Sequence, residues 1–136
     1  MSRPLPLSRS PSVKIGKITI YVNDQGEAKE FWTKKMNFVV KGEYPMGPNM
    51  IWLEVGPSED EFTTFVLYNK SLMEKQNPNT YTGHPSILLS TTDIDKTYEE
   101  LKNNGVDVTD IMKMPYGSMF TFKDQDGNPY IIREDK

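Results

Sequence analysis

The sequence predicts an α+β domain made of two consecutive βαβββ repeats, in which a curved mixed sheet encloses a space and the helices lie outside it. Three observations carry this. Stretches of strand periodicity far outnumber the helical stripes, of which two are long enough to matter. Each of those helices follows a strand and opens on an aspartate, Asp24 in one half and Asp93 in the other, 69 residues apart. At that offset Lys17 meets Ser86, Ile18 meets Ile87, Glu30 meets Glu99 and Trp32 meets Leu101, so polarity and element order repeat although identity is low.

The elements follow in order. Residues 15–22 alternate, with Ile18, Ile20 and Val22 on one face and Lys17, Thr19 and Tyr21 on the other, which is a strand. Asp24 stands where an N-cap belongs, with Glu27 three residues on as in a capping box. Ala28, Phe31, Trp32 and Met36 then form an apolar helical stripe. Residues 38–41 are a short strand, and Pro45, Gly47 and Pro48 make residues 44–49 a loop. Residues 50–55 and 62–68 are two more strands. The polar stretch 69–83 is a linker with a helical turn at 71–75.

In the second half residues 87–91 are a strand, and Ile94, Thr97, Tyr98 and Leu101 give the helical stripe. Gly105 suits the left-handed residue that ends a helix. Strands at 106–108, 119–122 and 130–133 follow, with a loop at 113–117 and a turn at Asp124-Gln125-Asp126-Gly127-Asn128. Residues 1–13, with Pro4, Pro6 and Pro11, are a flexible tail; residues 14–136 are one domain, with repeats at 14–69 and 84–136 and the linker at 70–83.

Composition excludes several functions. The 136 residues fit one domain, and 36% hydrophobic with 11% aromatic residues is enough for a packed core. A net charge of −3 leaves no basic excess for nucleic acid. The absence of cysteine excludes disulfides, thiolate metal sites and a thiol nucleophile, and fits a reducing cytoplasm. No apolar run approaches the ~18 residues of a membrane span.

The run Asp93-Ile94-Asp95, then Leu101-Lys102-Asn103-Asn104-Gly105-Val106, Pro115-Tyr116-Gly117 and Phe122-Lys123-Asp124-Gln125-Asp126-Gly127-Asn128 resembles the vicinal-oxygen-chelate superfamily of glyoxalase I, bleomycin-resistance proteins, fosfomycin-modifying enzymes and extradiol dioxygenases. The family turn is Asp-Pro-Asp-Gly-Asn, and Gln125 replaces its proline. The resemblance spans about residues 15–134 and implies a cup-shaped cavity in the sheet. Family enzymes hold a divalent metal there, with His or Gln at the start of each repeat's first strand and Glu in each last strand. Counted from the capping aspartates and the Gly-Asn turn, those slots carry Lys17, Ser86, Thr64 and Ile131. An ammonium, two hydroxyls and a hydrocarbon are a poor ligand set for a divalent ion. The expectation is therefore no metal and no other cofactor.

The remaining candidates have two readings each. His84, the only histidine, is a surface or loop residue, the alternative being a metal ligand reached by a two-residue slip. Glu54 is a solvated strand carboxylate, the alternative being a buried general base with a raised pKa; Glu134 is solvated. Tyr21, Trp52, Tyr68, Tyr116 and Arg133 either line the cavity with Lys17 and Ser86 or pack ordinarily. Met46, Met50, Met112, Met114 and Met119 are assigned to the core, the alternative being adaptable contact with an apolar ligand. The resemblance implies a homodimer that binds a small, partly apolar molecule in the cup. Two other functions compete: a metal-dependent lyase or dioxygenase with substituted ligands His84 and Glu54 (or a metal-free enzyme with Lys17 as base), and a protein-interaction module.

Overall fold

The structure, a computed structural model, describes residues 13–135; the tail predicted at 1–13 lies outside the described residues except for Val13. The first repeat contains β1 (Lys17–Val22), α1 (Gln25–Glu30) continued by a π-helical turn (Phe31–Lys35), β2 (Val39–Gly47), β3 (Met50–Gly56) and β4 (Thr64–Asn69). A short helix, α2 (Lys70–Gln76), opens the linker. The second repeat contains β5 (Leu88–Ser90), α3 (Ile94–Asn103), β6 (Asp107–Val108), β7 (Met112–Met114), β8 (Gly117–Lys123) and β9 (Pro129–Asp135).

The local signals act as their chemistry requires. The Asp24 carboxylate accepts the Glu27 N–H at 2.9 Å and Asp93 accepts that of Lys96 at 3.1 Å, which satisfies helix-end donors that no carbonyl reaches. Asn69 caps α2 in the same way through the Leu72 N–H. Gly105 has φ +86° after α3, the left-handed stop. In the 124–128 turn the buried Asp124 side chain accepts the N–H groups of Asp126 and Asn128 and the hydroxyl of Tyr130 at 2.7 Å. Burial pushes the Tyr130 hydroxyl far above its usual pKa, and the Asp124 charge adds to this. It therefore stays a donor.

The two repeats have one topology. The first sheet runs β1-β4-β3-β2 and the second β5-β9-β8-β6, with β7 also on β8. In each, the first and last strands of the repeat are parallel neighbours and the other pairs are antiparallel. The α+β class with two βαβββ repeats stands as predicted, and each repeat forms a sheet of its own.

Both sheets turn their apolar faces to one core. Ile20, Val22, Leu53, Val55, Phe65 and Leu67 enter it from the first sheet, Phe120, Phe122, Tyr130 and Ile132 from the second. Between them lie Ala28, Phe31 and Trp32 of the first helical segment and Ile94 and Leu101 of α3. Trp32 is the centre: its ring is 5.3 Å from Phe65 of β4 and 5.2 Å from Tyr130 of β9, centroid to centroid. The wide π turn accompanies the burial of two consecutive side chains, Phe31 and Trp32, where an ordinary helix presents one stripe.

Three expectations are corrected. The segment 44–49 is not a loop: β2 continues through Pro45 to Gly47. As the outer strand of its sheet, β2 loses little by the missing proline N–H. The segment 113–117 is mostly strand, with β7 ending at Met114 and β8 starting at Gly117, which leaves a two-residue turn. The five methionines assigned to the core are outside it; Met46 and Met112 are about half exposed and the others partly so.

Candidate functional site

Strand parity fixes the site. Residues alternating with the core positions project from the other face of each sheet, away from α1 and α3. On the first sheet that outer face holds Lys17, Thr19 and Tyr21 of β1, Thr64, Val66 and Tyr68 of β4, and Trp52 and Glu54 of β3. The ladder pairs Lys17 with Thr64, Thr19 with Val66 and Tyr21 with Tyr68.

Glu54 organises this face. Its Oε1 accepts from Lys17 Nζ at 2.8 Å and from the Thr64 hydroxyl at 2.7 Å, and its Oε2 accepts from Trp52 Nε1 at 2.6 Å. The residue is only 9% exposed, contrary to the expectation of a solvated carboxylate. Nor is its pKa raised. Burial pushes the carboxyl up, but the bonds from Lys17, Trp52 and Thr64 and the Lys17 charge outweigh it and hold the value below 4.5. Glu54 is thus an ionised, fully engaged acceptor at neutral pH, the opposite of a poised general base. Lys17 keeps about half of its side chain exposed and has further donors to offer beyond the one Glu54 takes. Tyr21 and Tyr68 meet edge to face at 6.2 Å, and the Tyr68 hydroxyl donates to Gln76 of α2.

On the second sheet the outer face holds Ser86, Leu88, Thr121, Ile131, Met119 and Arg133. Leu88, not Ser86, stands opposite Ile131 in the parallel ladder, with Ser86 two residues upstream on the same face. A groove of about 400 Å³ runs over this face, lined by His84, Ser86, Thr121 and Ile131. The Arg133 guanidinium lies 5.7 Å from the centre of the Tyr116 ring and bonds Asp135. Leu88, Met112 and Tyr116 are each more than half exposed.

The structure therefore brings Lys17, Tyr21, Trp52, Glu54, Thr64 and Tyr68 together on one sheet, and Ser86, Tyr116, Ile131 and Arg133 on the other. It does not bring the two groups together within the chain. Both sheets face the shared core with their apolar sides, so the outer faces look away from it in different directions. His84 and Glu54 are likewise apart. His84 stands at the entrance to β5, half-buried against the Tyr130 ring at 4.7 Å, with Nε2 at the Pro129 carbonyl. Among the described residues no three His, Asp or Glu side chains form a cluster fit for a metal. Glu134 is not freely solvated: it accepts the Ile94 N–H at 2.7 Å and caps α3. A wider groove, about 820 Å³, lies elsewhere, between α1 and the β6–β8 edge; its charges are mixed in sign and no candidate residue lines it.

Sequence reasoning assigned Met119 to the core and missed Thr19, Val66, Leu88, Thr121 and above all Gln25. Strand parity with Lys17, Thr64 and Ser86 reaches Thr19, Val66 and Leu88, whereas Thr121 lies on β8 and is placed opposite Ile131 only by the ladder. Gln25 Nε2 donates to the carbonyls of Ile51 at 3.0 Å and Leu67 at 2.8 Å, a role that only the folded strands create.

The chain was compared with known proteins. Residues 14–131 match the family model described as Glyoxalase/Bleomycin resistance protein/Dioxygenase superfamily. An uncharacterized protein of Bacillus subtilis (strain 168), YetH, is 39% identical over 122 residues, which is 89% of this chain and 98% of that protein. Among solved structures, a superfamily member from Sphaerobacter thermophilus DSM 20745 is 32% identical with a TM-score of 0.75, covering 90% of this chain and 98% of that one. TnmS3, an antibiotic binding protein from Streptomyces sp. CB03234, is 26% identical with a TM-score of 0.75, covering 94% of this chain and 100% of that one.

Proposed function

The chain belongs to the Glyoxalase/Bleomycin resistance protein/Dioxygenase superfamily, and from that premise we propose that it binds a small, partly apolar organic molecule on its outer sheet faces without a catalytic metal. The single observation that carries this reading is the Glu54 cluster. The position where family enzymes present a metal-binding imidazole or amide holds Lys17. The nearest carboxylate has both oxygens taken by Lys17, Thr64 and Trp52. A divalent ion there would have to displace a cation and strip three hydrogen bonds, and across the sheet it would find Thr64 and no second carboxylate. The donor set does not fit the group.

What remains is suited to binding: indole and phenol faces, an ammonium, and a second face with a guanidinium, a hydroxyl and adaptable methionines. On the first sheet Lys17, Tyr21, Trp52 and Tyr68 stay partly exposed around the buried Thr64, Val66 and Glu54, a floor that a second copy would roof. We therefore take the working form to be a homodimer, in which the first-sheet face of one copy is covered by the second-sheet face of the other. The half-exposed Leu88, Met112 and Tyr116 support this, since they sit where such a partner would bury them. The likeness to TnmS3, named as an antibiotic binding protein, supports the ligand class.

A thermal-shift screen of small aromatic and polycyclic compounds, run with a chelator present, tests the proposal. Compounds that raise the midpoint in a dose-dependent way are expected, with the gain reduced by Trp52→Ala. Stabilisation that occurs only after Ni, Zn, Mn or Fe(II) is added would contradict it.

A further inference from the structure

The first sheet is not continuous. Pairing between β3 and β4 is confined to Glu54 with Val66 and Val55 with Phe65. Continued in register, Trp52 would face Tyr68 and the Leu67 carbonyl would be spent in the ladder. Instead the strands part, and the Gln25 amide spans the gap by donating to both Ile51 O and Leu67 O. Those two carbonyls are satisfied without closing the sheet.

The gap is a cleft of about 90 Å³, walled by Trp52, Tyr68, Met46, Met50, Ile51 and Leu72. Ile51 and Trp52 project to opposite sides of β3, and both reach the cleft only because the strands have separated. Its roof is α2, which buries none of its residues and is tied down by side-chain bonds, Tyr68 to Gln76 at 2.6 Å and Gln76 to the Met50 sulfur at 3.5 Å. A roof with so little buried surface opens at low cost.

We propose that this cleft is a binding subsite for a short alkyl or other narrow apolar arm of a ligand whose polar head lies at Lys17, and that Gln25 is the strut that keeps it open. The inference rests on the small-molecule reading above and specifies its ligand as amphipathic. Head and arm positions are close: Lys17 Nζ and Trp52 Nε1 bind the two oxygens of one carboxylate, and Trp52 also forms a wall of the cleft. Flexible thioethers suit an arm of variable shape, and the lining is mostly apolar, its amides being Gln25, whose nitrogen is spent on backbone, and Asn69, whose oxygen caps α2.

The test uses the full chain labelled with ¹³C at the methionine methyls and titrated with sodium hexanoate, octanoate and decanoate, with signals assigned by Met→Leu variants. Saturable shifts are expected at Met46 and Met50, with affinity rising about fourfold per added methylene until the cleft is full. Met50→Trp should weaken octanoate at least tenfold and flatten the chain-length series. Leu72→Trp, which fills the cleft from the more exposed α2, should do the same if Met50→Trp fails to fold. Octanoate affinity unchanged in these variants, or no shift at Met46 and Met50, overturns the subsite. Screening hits that still stabilise both variants would then leave the small-molecule reading intact, whereas a screen without hits would remove that reading separately.

Discussion

Replacing Lys17 by methionine removes the ammonium from Glu54 while keeping much of the aliphatic stem. Glu54 is 9% exposed and retains its bonds from Thr64 and Trp52, so it loses one of three donors and the one cation bonded to it among the described residues. A hydrogen bond to a charged group contributes about 1.5–3 kcal/mol. Because Lys17 is about half exposed, solvent already screens part of the attraction, and the expected loss at pH 7 is about 1–2 kcal/mol. The pH dependence follows from the direction of the shift. Glu54 has a folded pKa below its unfolded one, so its contribution is present above about 4.5 and fades as pH falls through the lower folded value. Without Lys17 the burial cost is less offset and the folded pKa rises. Protonation then relieves the variant before the wild type, and the gap between them narrows on acidification. Urea unfolding of both proteins at pH 7 and at pH 4 measures this. A neutral substitution at pH 7, or a gap that widens in acid, would refute the account of the cluster.

Further consequences can be measured on the same footing. Trp32→Ala removes the side chain that touches both sheets and should cost about 3–5 kcal/mol, with the two repeats still unfolding in one transition; two separate transitions would show that the repeats do not share the core. Asp93→Ala should cost about 0.5–2 kcal/mol by urea unfolding, and Asp93→Asn much less, because Asn also caps. If the proposed homodimer forms, Met112→Asp on the second sheet's outer face should shift it toward monomer in sedimentation velocity while leaving far-UV circular dichroism unchanged, since that side chain is about half exposed and outside the core.

Much of the fold was legible because its signals are local. The capping aspartates, the left-handed Gly105 and the 124–128 turn each act within five residues, and strand parity sorted Ile20 and Val22 from Lys17 and Tyr21. Pro45 misled, because its meaning depends on whether β2 is an edge strand, which only the sheet order reveals. The same holds for the methionines: a residue beside a loop reads alike whether its strand faces the core or the outside.

The candidate site was half legible. Counting seven back from Asp24 placed Lys17, and Thr64 is its ladder partner. In the second repeat the same count gave Ser86, whereas the ladder sets Leu88 against Ile131, because register across parallel strands is not written in either strand alone. Glu54 was misread for a similar reason. Its three donors come from β1, β3 and β4, and no spacing in the sequence announces that they converge. Gln25 was invisible, since a strut is defined by the gap it spans.

In the proposed reading, Lys17 and the engaged Glu54 stand where a metal would need open donors. The most direct measurement is the metal content of untagged protein by mass spectrometry, as purified and after equilibration with Ni, Zn, Mn and Fe(II) followed by desalting. Retention far below one ion per chain is expected for every metal. One ion retained per chain, and lost in His84→Ala or Glu54→Gln, would contradict it.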